Sequence, residues 1–482
     1  MRRFEPSFAP REGHGVLHLM QFVERLVPDF FAPDRPIRVA RAPGRLDVMG
    51  GIADYSGSLV LQLPIAEAAL AAVQRRDDDE VHVYSPCRDG SRDPHVAMRL
   101  GVLGLPDRPL GYEEAASALG RGARGSWAAY VLGALLVLAR EHRARITSGF
   151  AILVLSDVPE GKGVASSAAL EVAALHAIAG ALGISLGGRE LALAAHAVEN
   201  RLARVPCGVM DQMTAACGEQ GKLLALRCQP CEIEGQIEIP EDLEFLGLDG
   251  GGRHAVGGGR YEAVRTGAAI GHRILADLAG LRVRGEGGHC SIEGDPWRGF
   301  LANVDPRKFE RRYAAALPAS IAGTEFLSRY GGIFDRAVRV DPGATYAVRA
   351  PTEHPILENA RIERFRELLS GARSPREFSE LGDAMFASHA SYTACGLGDE
   401  AADWIVEEVK RRRDRGLFGA RITGGGQGGT VAILGLRGKA WHEVLRLKKA
   451  MREALGHSGK VFRHSSPGAS AFGGLDLLPA EP

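Results

Sequence analysis

A loop that combines glycines and serines carries residue types suited to anion binding. Gly161 and Gly163 allow backbone conformations that other residues rarely adopt, so main-chain N–H groups can approach a ligand closely. Ser166, Ser167 and Ala168 then open a run of good helix formers, and the N-terminus of a helix favours an anion. The loop predicts a phosphate-binding site, with an ordinary serine-capped turn as the alternative. Its spacing is not that of a Walker-type nucleotide loop.

Charged side chains near two further glycine-rich segments could act on a substrate. Asp211 follows the sequence Pro-Cys-Gly-Val-Met. On its own it could cap a helix, but beside a phosphate loop it becomes a candidate catalytic base. Arg45, Asp54 and Tyr55 offer a fork of donors, a carboxylate and an aromatic ring, a combination that binds polyhydroxylated ligands in small pockets. A turn with a structural ion pair is the alternative for these three residues.

Two other groups of residues allow more than one interpretation. Trp127 and Tyr130 are three positions apart in a predicted apolar helix, so they share a face and could stack on a purine or fill the core. Cys228 and Cys231 form a Cys-x-x-Cys pair. A structural zinc site would need a second pair of ligands, and buried free thiols fit the apolar surroundings better.

These residues need strands and helices to position them. Short apolar or alternating runs predict strands at residues 37–41, 59–65, 81–84, 150–155, 222–226, 232–239, 244–248 and 430–434. Helices are predicted at residues 16–26 and 168–182, and glycine-rich loops at residues 42–57 and 419–429. A change of composition near residues 241–250 predicts a lead at 1–36, a first domain at 37–243 and an α+β second domain at 244–482.

The composition favours an enzyme that acts on small molecules. The 59 basic residues balance the 59 acidic residues, so no overall field attracts nucleic acid or an anionic membrane surface. No apolar run is long enough to span a bilayer. Residues 1–10 lack the apolar core of a secretory signal, so we expect none there. The seven cysteines form no disulfide framework, which agrees with a reducing compartment. We therefore expect a cytoplasmic location, with neither nucleic acid nor membrane as a partner.

Taken in order, these segments resemble the motifs of the GHMP kinases, and those of galactokinases in particular. The matching segments are residues 45–57, 127–133, 159–169, 208–212, 254–265 and 354–361, followed by the last glycine loop. The resemblance implies a two-domain fold, with an N-terminal α/β domain and a C-terminal ferredoxin-like α+β domain. The active site would lie between the two domains.

The resemblance also implies catalytic and metal-binding roles. Asp211 would face the anomeric hydroxyl of a sugar and either remove its proton or hold it for attack on ATP. Arg45 would lie beside Asp211 and keep it ionised. Ser167 and Glu199 would hold Mg²⁺, which prefers oxygen ligands together with phosphates and water.

Binding roles follow from the same resemblance. The phosphate loop, Gly161 to Ala168, would hold the ATP phosphates, while Trp127 and Tyr130 would form the adenine pocket. The residues implied to contact the sugar are Asp54, Gly51, Tyr55 and Tyr261.

One departure from the galactokinase signature bears on the sugar. That signature reads Gly-Glu-His-Thr-Asp-Tyr, whereas residues 50–55 read Gly-Gly-Ile-Ala-Asp-Tyr. In galactokinases the glutamate binds the exocyclic hydroxymethyl group, which L-arabinopyranose lacks, and an unused buried carboxylate would be costly. Together with likeness to the kinase portion of plant L-arabinokinases, Gly51 implies an ATP-dependent L-arabinose 1-kinase. A galactokinase is the first alternative, and a catalytically inactive sugar-binding regulator is the second.

Overall fold

The computed structural model of the protein describes residues 4–6, 15–87, 90, 92–120, 126–251, 259–286, 288–427 and 429–480. Its strands are β1 (Phe4–Pro6), β2 (Ile37–Met49), β3 (Leu59–Arg75), β4 (Glu80–Tyr84), β5 (His95–Arg99), β6 (Phe150–Ser156), β7 (Lys222–Arg227), β8 (Glu232–Glu238), β9 (Leu243–Asp249), β10 (Val283–Glu286), β11 (His289–Ile292), β12 (Ser320–Ala322), β13 (Thr345–Ala347), β14 (Leu417–Ile422), β15 (Thr430–Leu436), β16 (Val461–Phe462) and β17 (Gly474–Pro479).

The helices of the same residues are α1 (Val16–Leu26), α2 (Tyr112–Leu119), α3 (Ala129–Glu141), α4 (Ser166–Ala181), α5 (Gly188–Ala197), α6 (Met210–Cys217), α7 (Gly259–Leu278), α8 (Pro306–Arg312), α9 (Gly323–Tyr330), α10 (Arg349–Gly371), α11 (Pro375–Ala394), α12 (Glu400–Lys410), α13 (Ala440–Leu455) and α14 (Ala469–Phe472). A 3₁₀ turn at Gly51–Ser56 and a π-helical turn at Val198–Leu202 also contribute to the site. In the described ranges no helix has both the length and the apolar character needed to cross a membrane.

The first sheet is mainly antiparallel, with strand order β1-β17-β2-β3-β6-β4-β5. The pair β4–β6 is parallel, and β7 with β8 extends the sheet from the start of β3. The sequence predicts a loop at residues 42–57, and this prediction is wrong for residues 42–49 because β2 continues to Met49. Its register against β3 shifts after Pro43 and after Asp47, and such irregularities let a strand accommodate residues that pair poorly.

The two faces of this sheet bury alternate residues of the same strands. Ala40 and Ala42 pack in the core that includes α4, whereas Ile37 and Val39 pack with α1. Since successive strand residues point to opposite faces, α1 and α4 cover opposite sides of the sheet. The predicted helix at residues 16–26 is confirmed, and its role is to cover one face.

The second sheet has the antiparallel order β14-β15-β9-β16, and its core includes apolar residues of α11, α12 and α13. The predicted strands at 244–248 and 430–434 are found as β9 and β15. Residues 419–422 belong to β14 and not to a loop, so the glycine loop proper starts at Thr423. Residues 252–258, which include the start of the matched segment 254–265, lie outside the described residues.

The C-terminal strand returns to the first sheet. β17 pairs with β2 and with β1, although residues 244–482 were expected to form the second domain. Leu475 and Leu477 pack in the same core as α1. The last residues of the chain therefore complete the first sheet.

Candidate active site

The predicted phosphate loop connects β6 to the start of α4. Gly161, Gly163 and Ala165 have φ angles of +68°, +69° and +60°, so the loop turns through the left-handed region three times before the helix begins. Ala165 is the residue immediately before α4, and holding a non-glycine residue there costs roughly 1–3 kcal/mol. Such strain is characteristic of binding loops, where it directs backbone N–H groups toward a ligand.

A cavity of about 1090 Å³ of empty space, including the part open to solvent, lies against this loop. Both halves of the chain contribute to its walls. The first half supplies Arg45, Gly51, Ile52, Asp54, Gly161, Gly163, Ala165, Ser166, Ser167, Glu199, Gly208 and Asp211, and the second half supplies Tyr261, Glu262 and residues 424–427. Ten of the predicted site residues therefore share one cavity: Arg45, Gly51, Asp54, Gly161, Gly163, Ser166, Ser167, Glu199, Asp211 and Tyr261.

Arg45 joins Asp211 to the phosphate loop. Its Nε donates to Asp211 Oδ1 at 3.0 Å and its Nη2 to Asp211 Oδ2 at 2.9 Å, while its Nη1 donates to the Gly163 carbonyl at 2.6 Å. Asp211 belongs to the first turn of α6, so it does not serve as the residue that caps the helix. This fork-to-fork geometry gives both charges a fixed orientation.

The pKa of Asp211 is raised, which differs from the sequence expectation. Burial raises the pKa, and Arg45 opposes that shift without reversing it. A carboxylate with a raised pKa is a stronger base than one free in water. The ion pair therefore orients Asp211, while burial adjusts its basicity.

Asp54 lies in the same cavity, within the 3₁₀ turn at Gly51–Ser56. It is 4% exposed, and its Oδ1 accepts a hydrogen bond from the Tyr55 N–H. A Cβ atom placed on Gly208 would lie 1.9 Å from Asp54 Oδ2, so the carboxylate fits only because residue 208 is glycine. Burial and the nearby Asp211 carboxylate raise the pKa of Asp54 to about 7.

The loop before Asp211 is held by Arg265 of α7. The Arg265 Nη1 donates to the carbonyls of Pro206 and Cys207 at 3.1 and 3.2 Å. Its other nitrogens bind both oxygens of Asp335 at 2.6 and 3.2 Å. Arg265 thus fixes the position of a first-half loop from a second-half helix.

Glu199 and Ser167 meet at another part of the cavity wall. Burial raises the pKa of Glu199, and a hydrogen bond with Ser167 lowers it. Gln212 donates to both Glu199 and the fully buried Glu171. Two effects raise the pKa of Glu171 well above its usual range: burial is the larger and the charge of Glu199 is the next. Sequence reasoning missed Gln212 and Glu171, although Gln212 lies in the matched segment 208–212 and Glu171 two residues after the segment 159–169.

Four predicted site residues do not line the cavity. Ala168 is buried within α4, and Trp127 donates its Nε1–H to the Asp93 carbonyl while Arg92 stacks on its ring at 4.2 Å. Burial raises the pKa of Tyr130, and the charge of the nearby Glu199 raises it further. Tyr55 lines a second cavity together with Arg265 and Asp335, and its ring meets Tyr261 edge-on at 6.0 Å.

A buried ion pair that the sequence did not reveal connects the two halves beside the site. Arg421 of β14 donates to Asp47 Oδ2 of β2 at 2.9 Å, and both side chains are fully buried. The same carboxylate accepts from the N–H groups of Gly51 at 3.2 Å and Gly424 at 3.3 Å. The sequence signal was position, since Asp47 lies inside the first matched segment and Arg421 inside the glycine loop predicted at residues 419–429.

Two family models match parts of the chain, and several sugar kinases are similar to it. Residues 129–219 match the family model of the GHMP kinases N terminal domain, and residues 29–75 match the galactokinase galactose-binding signature. An L-arabinokinase of Arabidopsis thaliana is 40% identical over 488 residues, which cover 92% of this chain and 47% of that protein. The chain thus spans about half the length of that relative.

Galactokinases also resemble the chain. The galactokinase of Chloroflexus aurantiacus is 28% identical over 401 residues, covering 83% of this chain and 84% of that protein. The crystal structure of Lactococcus lactis galactokinase complexed with galactose superposes with a TM-score of 0.71 at 19% identity, covering 94% of this chain and 99% of that one. These findings confirm the predicted fold class: the chain contains the N-terminal domain of the GHMP kinases and the galactose-binding signature of the galactokinases, on a galactokinase-like fold.

Proposed function

We propose that the protein is a sugar 1-kinase, which transfers the γ-phosphoryl group of ATP to the anomeric hydroxyl of L-arabinose. The observation that carries this proposal is the Arg45–Asp211 pair, which joins a candidate base to the carbonyl of Gly163 in the phosphate loop. A base that is fixed next to a phosphate site can act on a hydroxyl directed at the terminal phosphoryl group.

In the proposed reaction, Asp211 accepts the proton of the anomeric hydroxyl. The sugar oxygen bonds to the γ-phosphorus while the bond from that phosphorus to the bridging oxygen breaks, which gives sugar 1-phosphate and ADP. Arg45 keeps the carboxylate aligned and offers positive charge close to the transferring group. Asp54, buried against Gly208, accepts hydrogen bonds from sugar hydroxyls when it is ionised.

Ser167 and Glu199 are suited to hold Mg²⁺. Their side chains are hydrogen-bonded to each other and both line the cavity next to the phosphate loop, and oxygen donors beside phosphates are what Mg²⁺ prefers. When bound, Mg²⁺ would neutralise phosphate charge during transfer. Gln212 orients Glu199 from behind through its amide N–H.

L-arabinose is the sugar that the position of Gly51 in the cavity wall and the name of the 40% identical relative support. D-galactose is the second candidate, because galactokinases match most of the chain at lower identity. A backbone wall at Gly51 offers no carboxylate to an exocyclic hydroxymethyl group. The loss of such a contact disfavours galactose by about 1–3 kcal/mol.

Steady-state kinetics with a panel of sugars tests the proposal. We expect kcat/KM for L-arabinose to exceed that for D-galactose by roughly ten- to a hundredfold, which is the discrimination that one polar contact provides. Equal or faster turnover of D-galactose would reject the proposed specificity. A sugar-binding regulator would bind ATP and sugar without releasing ADP, so ADP release separates that alternative from an enzyme.

The proposed setting is the cytoplasm, with ATP and a free sugar as partners. All seven cysteines are free thiols, which fits a reducing compartment.

A further inference from the structure

The hydroxyl of Tyr392 lies directly behind the cavity wall at Gly51. Gly51 lines the cavity and has a φ angle of +52°. A Cβ atom placed on it would lie 1.5 Å from Tyr392 Oη and 2.6 Å from Cζ. Tyr392, on α11, is fully buried. The space that a side chain at position 51 would need is therefore already filled by the phenol group.

This hydroxyl connects two loops that line the cavity from different halves of the chain. Tyr392 Oη accepts a hydrogen bond from the Ile52 N–H at 2.6 Å and donates one to the Gly424 carbonyl at 2.9 Å. One hydroxyl thus satisfies a buried donor of the sugar loop (residues 51–54) and a buried acceptor of the glycine loop (residues 423–427). Removing it leaves both backbone groups without that partner, which is costly in a buried site.

The surroundings fix this hydroxyl in place. The Arg421 guanidinium lies 5.0 Å from the centre of the Tyr392 ring, and the His354 ring meets it edge-on at 5.2 Å. Asp47 binds the N–H groups of Gly51 and Gly424, so it ties together the same two loops. The Tyr392 hydroxyl is neutral, whereas Asp47 carries a charge. A substitution can therefore remove the Tyr392 hydrogen bonds between the two loops without also removing a charge from the interior.

We propose that Tyr392 is a positioning residue that couples the sugar loop to the glycine loop and, with Gly51, fixes the shape of the sugar wall. The inference rests on the proposed function in taking a sugar and a nucleotide as the two ligands. The sugar orders the sugar loop, and the nucleotide orders the glycine loop through the phosphate loop, against which the glycine loop packs at Gly163. The shared hydroxyl passes this order from one loop to the other. Sugar and nucleotide then strengthen each other's binding, and by linkage the factor is the same in both directions.

A consequence for specificity is that position 51 cannot regain a side chain alone. The glutamate that galactokinase signatures carry here would displace Tyr392 before it reached the sugar. We therefore expect Gly51→Glu to lose activity with every sugar and not to shift the preference toward galactose.

Calorimetric titration tests the coupling. The affinity for sugar is measured with and without ADP and Mg²⁺ in the native protein, in Tyr392→Phe and in Tyr346→Phe. Tyr346 is a matched control, because its buried hydroxyl also accepts a backbone N–H, that of Asp341 at 2.9 Å, away from the cavity. We expect native coupling of about fivefold or more, a factor below about twofold in Tyr392→Phe, and native coupling in Tyr346→Phe.

A purely structural role would lower the melting temperature of both phenylalanine variants and leave the coupling factor of each unchanged, and that result would overturn the inference. The sugar used is the one that the native protein phosphorylates fastest. If this is not L-arabinose, the proposed specificity fails while the coupling is still measured. If no sugar binds or reacts, both proposals fail.

A double-mutant cycle tests whether Tyr392 and position 51 compete for one space. Gly51→Ala places a methyl group against the hydroxyl, and Tyr392→Phe removes the atom that it would strike first. We expect the double variant to lose less sugar affinity than the product of the two single losses. If the loss of sugar affinity in the double variant equals the product of the two single losses, the side chain at position 51 and the Tyr392 hydroxyl do not compete for one space.

Discussion

Asp211 is the residue on which the proposed chemistry depends most. Its carboxylate is oriented by Arg45 and made more basic by burial, so its removal affects proton transfer and leaves the phosphate loop intact. We expect Asp211→Asn to lower kcat by about 10²–10⁴-fold. The affinity for ATP, measured by calorimetry without sugar, should stay within about threefold, well below the tenfold that a lost contact of 1.4 kcal/mol causes. A large loss of ATP affinity would mean that Asp211 acts on the nucleotide.

Asp54 gives a prediction about pH. Its pKa is about 7 in the fold against 3.8 for an ordinary aspartate, so the folded protein binds more protons and the contribution of Asp54 to stability falls as the pH rises from about 4 to 7. Asp54→Asn removes this cost and should raise the melting temperature at pH 8 by a few degrees, and by less at pH 5. The same variant should bind sugar more weakly. If Asp54→Asn melted at a lower temperature than the native protein at pH 8, the ionised Asp54 side chain would not be destabilising.

Single residues were predictable where their role is local. Arg45, Asp54 and Asp211 were identified from their types and their positions beside glycine-rich segments, and the structure brings them to one cavity. The net pKa direction of Asp211 was not predictable, because it depends on the balance between burial and an ion pair. Asp47 and Arg421 were missed because their partners lie 374 residues apart.

Among the elements, the phosphate loop and the glycine loop depend on each other. A Cβ atom on Gly163 would lie 3.0 Å from the Thr423 carbonyl, and one on Gly424 would lie 2.8 Å from the Gly163 carbonyl. The Thr430 N–H also donates to the Lys162 carbonyl at 3.0 Å. The two loops therefore share their backbone positions, and crowding one displaces the other.

Gly163→Ala tests this dependence. Gly183 is a matched control, because its φ of +72° is close to the +69° of Gly163 and nothing lies within 4 Å of its built Cβ. Both alanine variants should lose about 1–2 kcal/mol of stability from the left-handed backbone. Only Gly163→Ala should also weaken ATP binding, by about tenfold or more. Equal ATP affinities in the two variants would show that the contact with Thr423 does not matter.

Strands and helices were predicted better in position than in length. The helix at residues 16–26 was predicted correctly because its apolar residues recur at a helical period. The strand from Ile37 was predicted too short, since Pro43 and Gly44 resemble turn residues. The strand continues past them because Pro43 and Arg45 on either side of Gly44 pair with β3. Pairing over long separations has no local signature, which is also why the position of β17 was not foreseen.

At the scale of the whole molecule, the buried Asp47–Arg421 pair joins the two sheets. Removing one partner leaves an uncompensated charge in the interior, so Arg421→Met should lower the free energy of unfolding by about 3–5 kcal/mol. The exposed pair Arg284–Glu293 offers a control, where Arg284→Met should cost no more than about 1 kcal/mol. Denaturant unfolding measures both, and equal effects would show that burial of the pair contributes nothing.

The return of β17 to the first sheet has a consequence for how the protein is made. Until that strand emerges from the ribosome, residues 37–40 of β2 lack the partner that they have in the native protein, and an unpaired edge recruits other chains. The first sheet thus stays incomplete until the strands of the second sheet have also been translated. A fragment ending at residue 243 should aggregate when expressed alone, and a circular permutant that places residues 464–480 ahead of β2 should be able to close its first sheet early in synthesis.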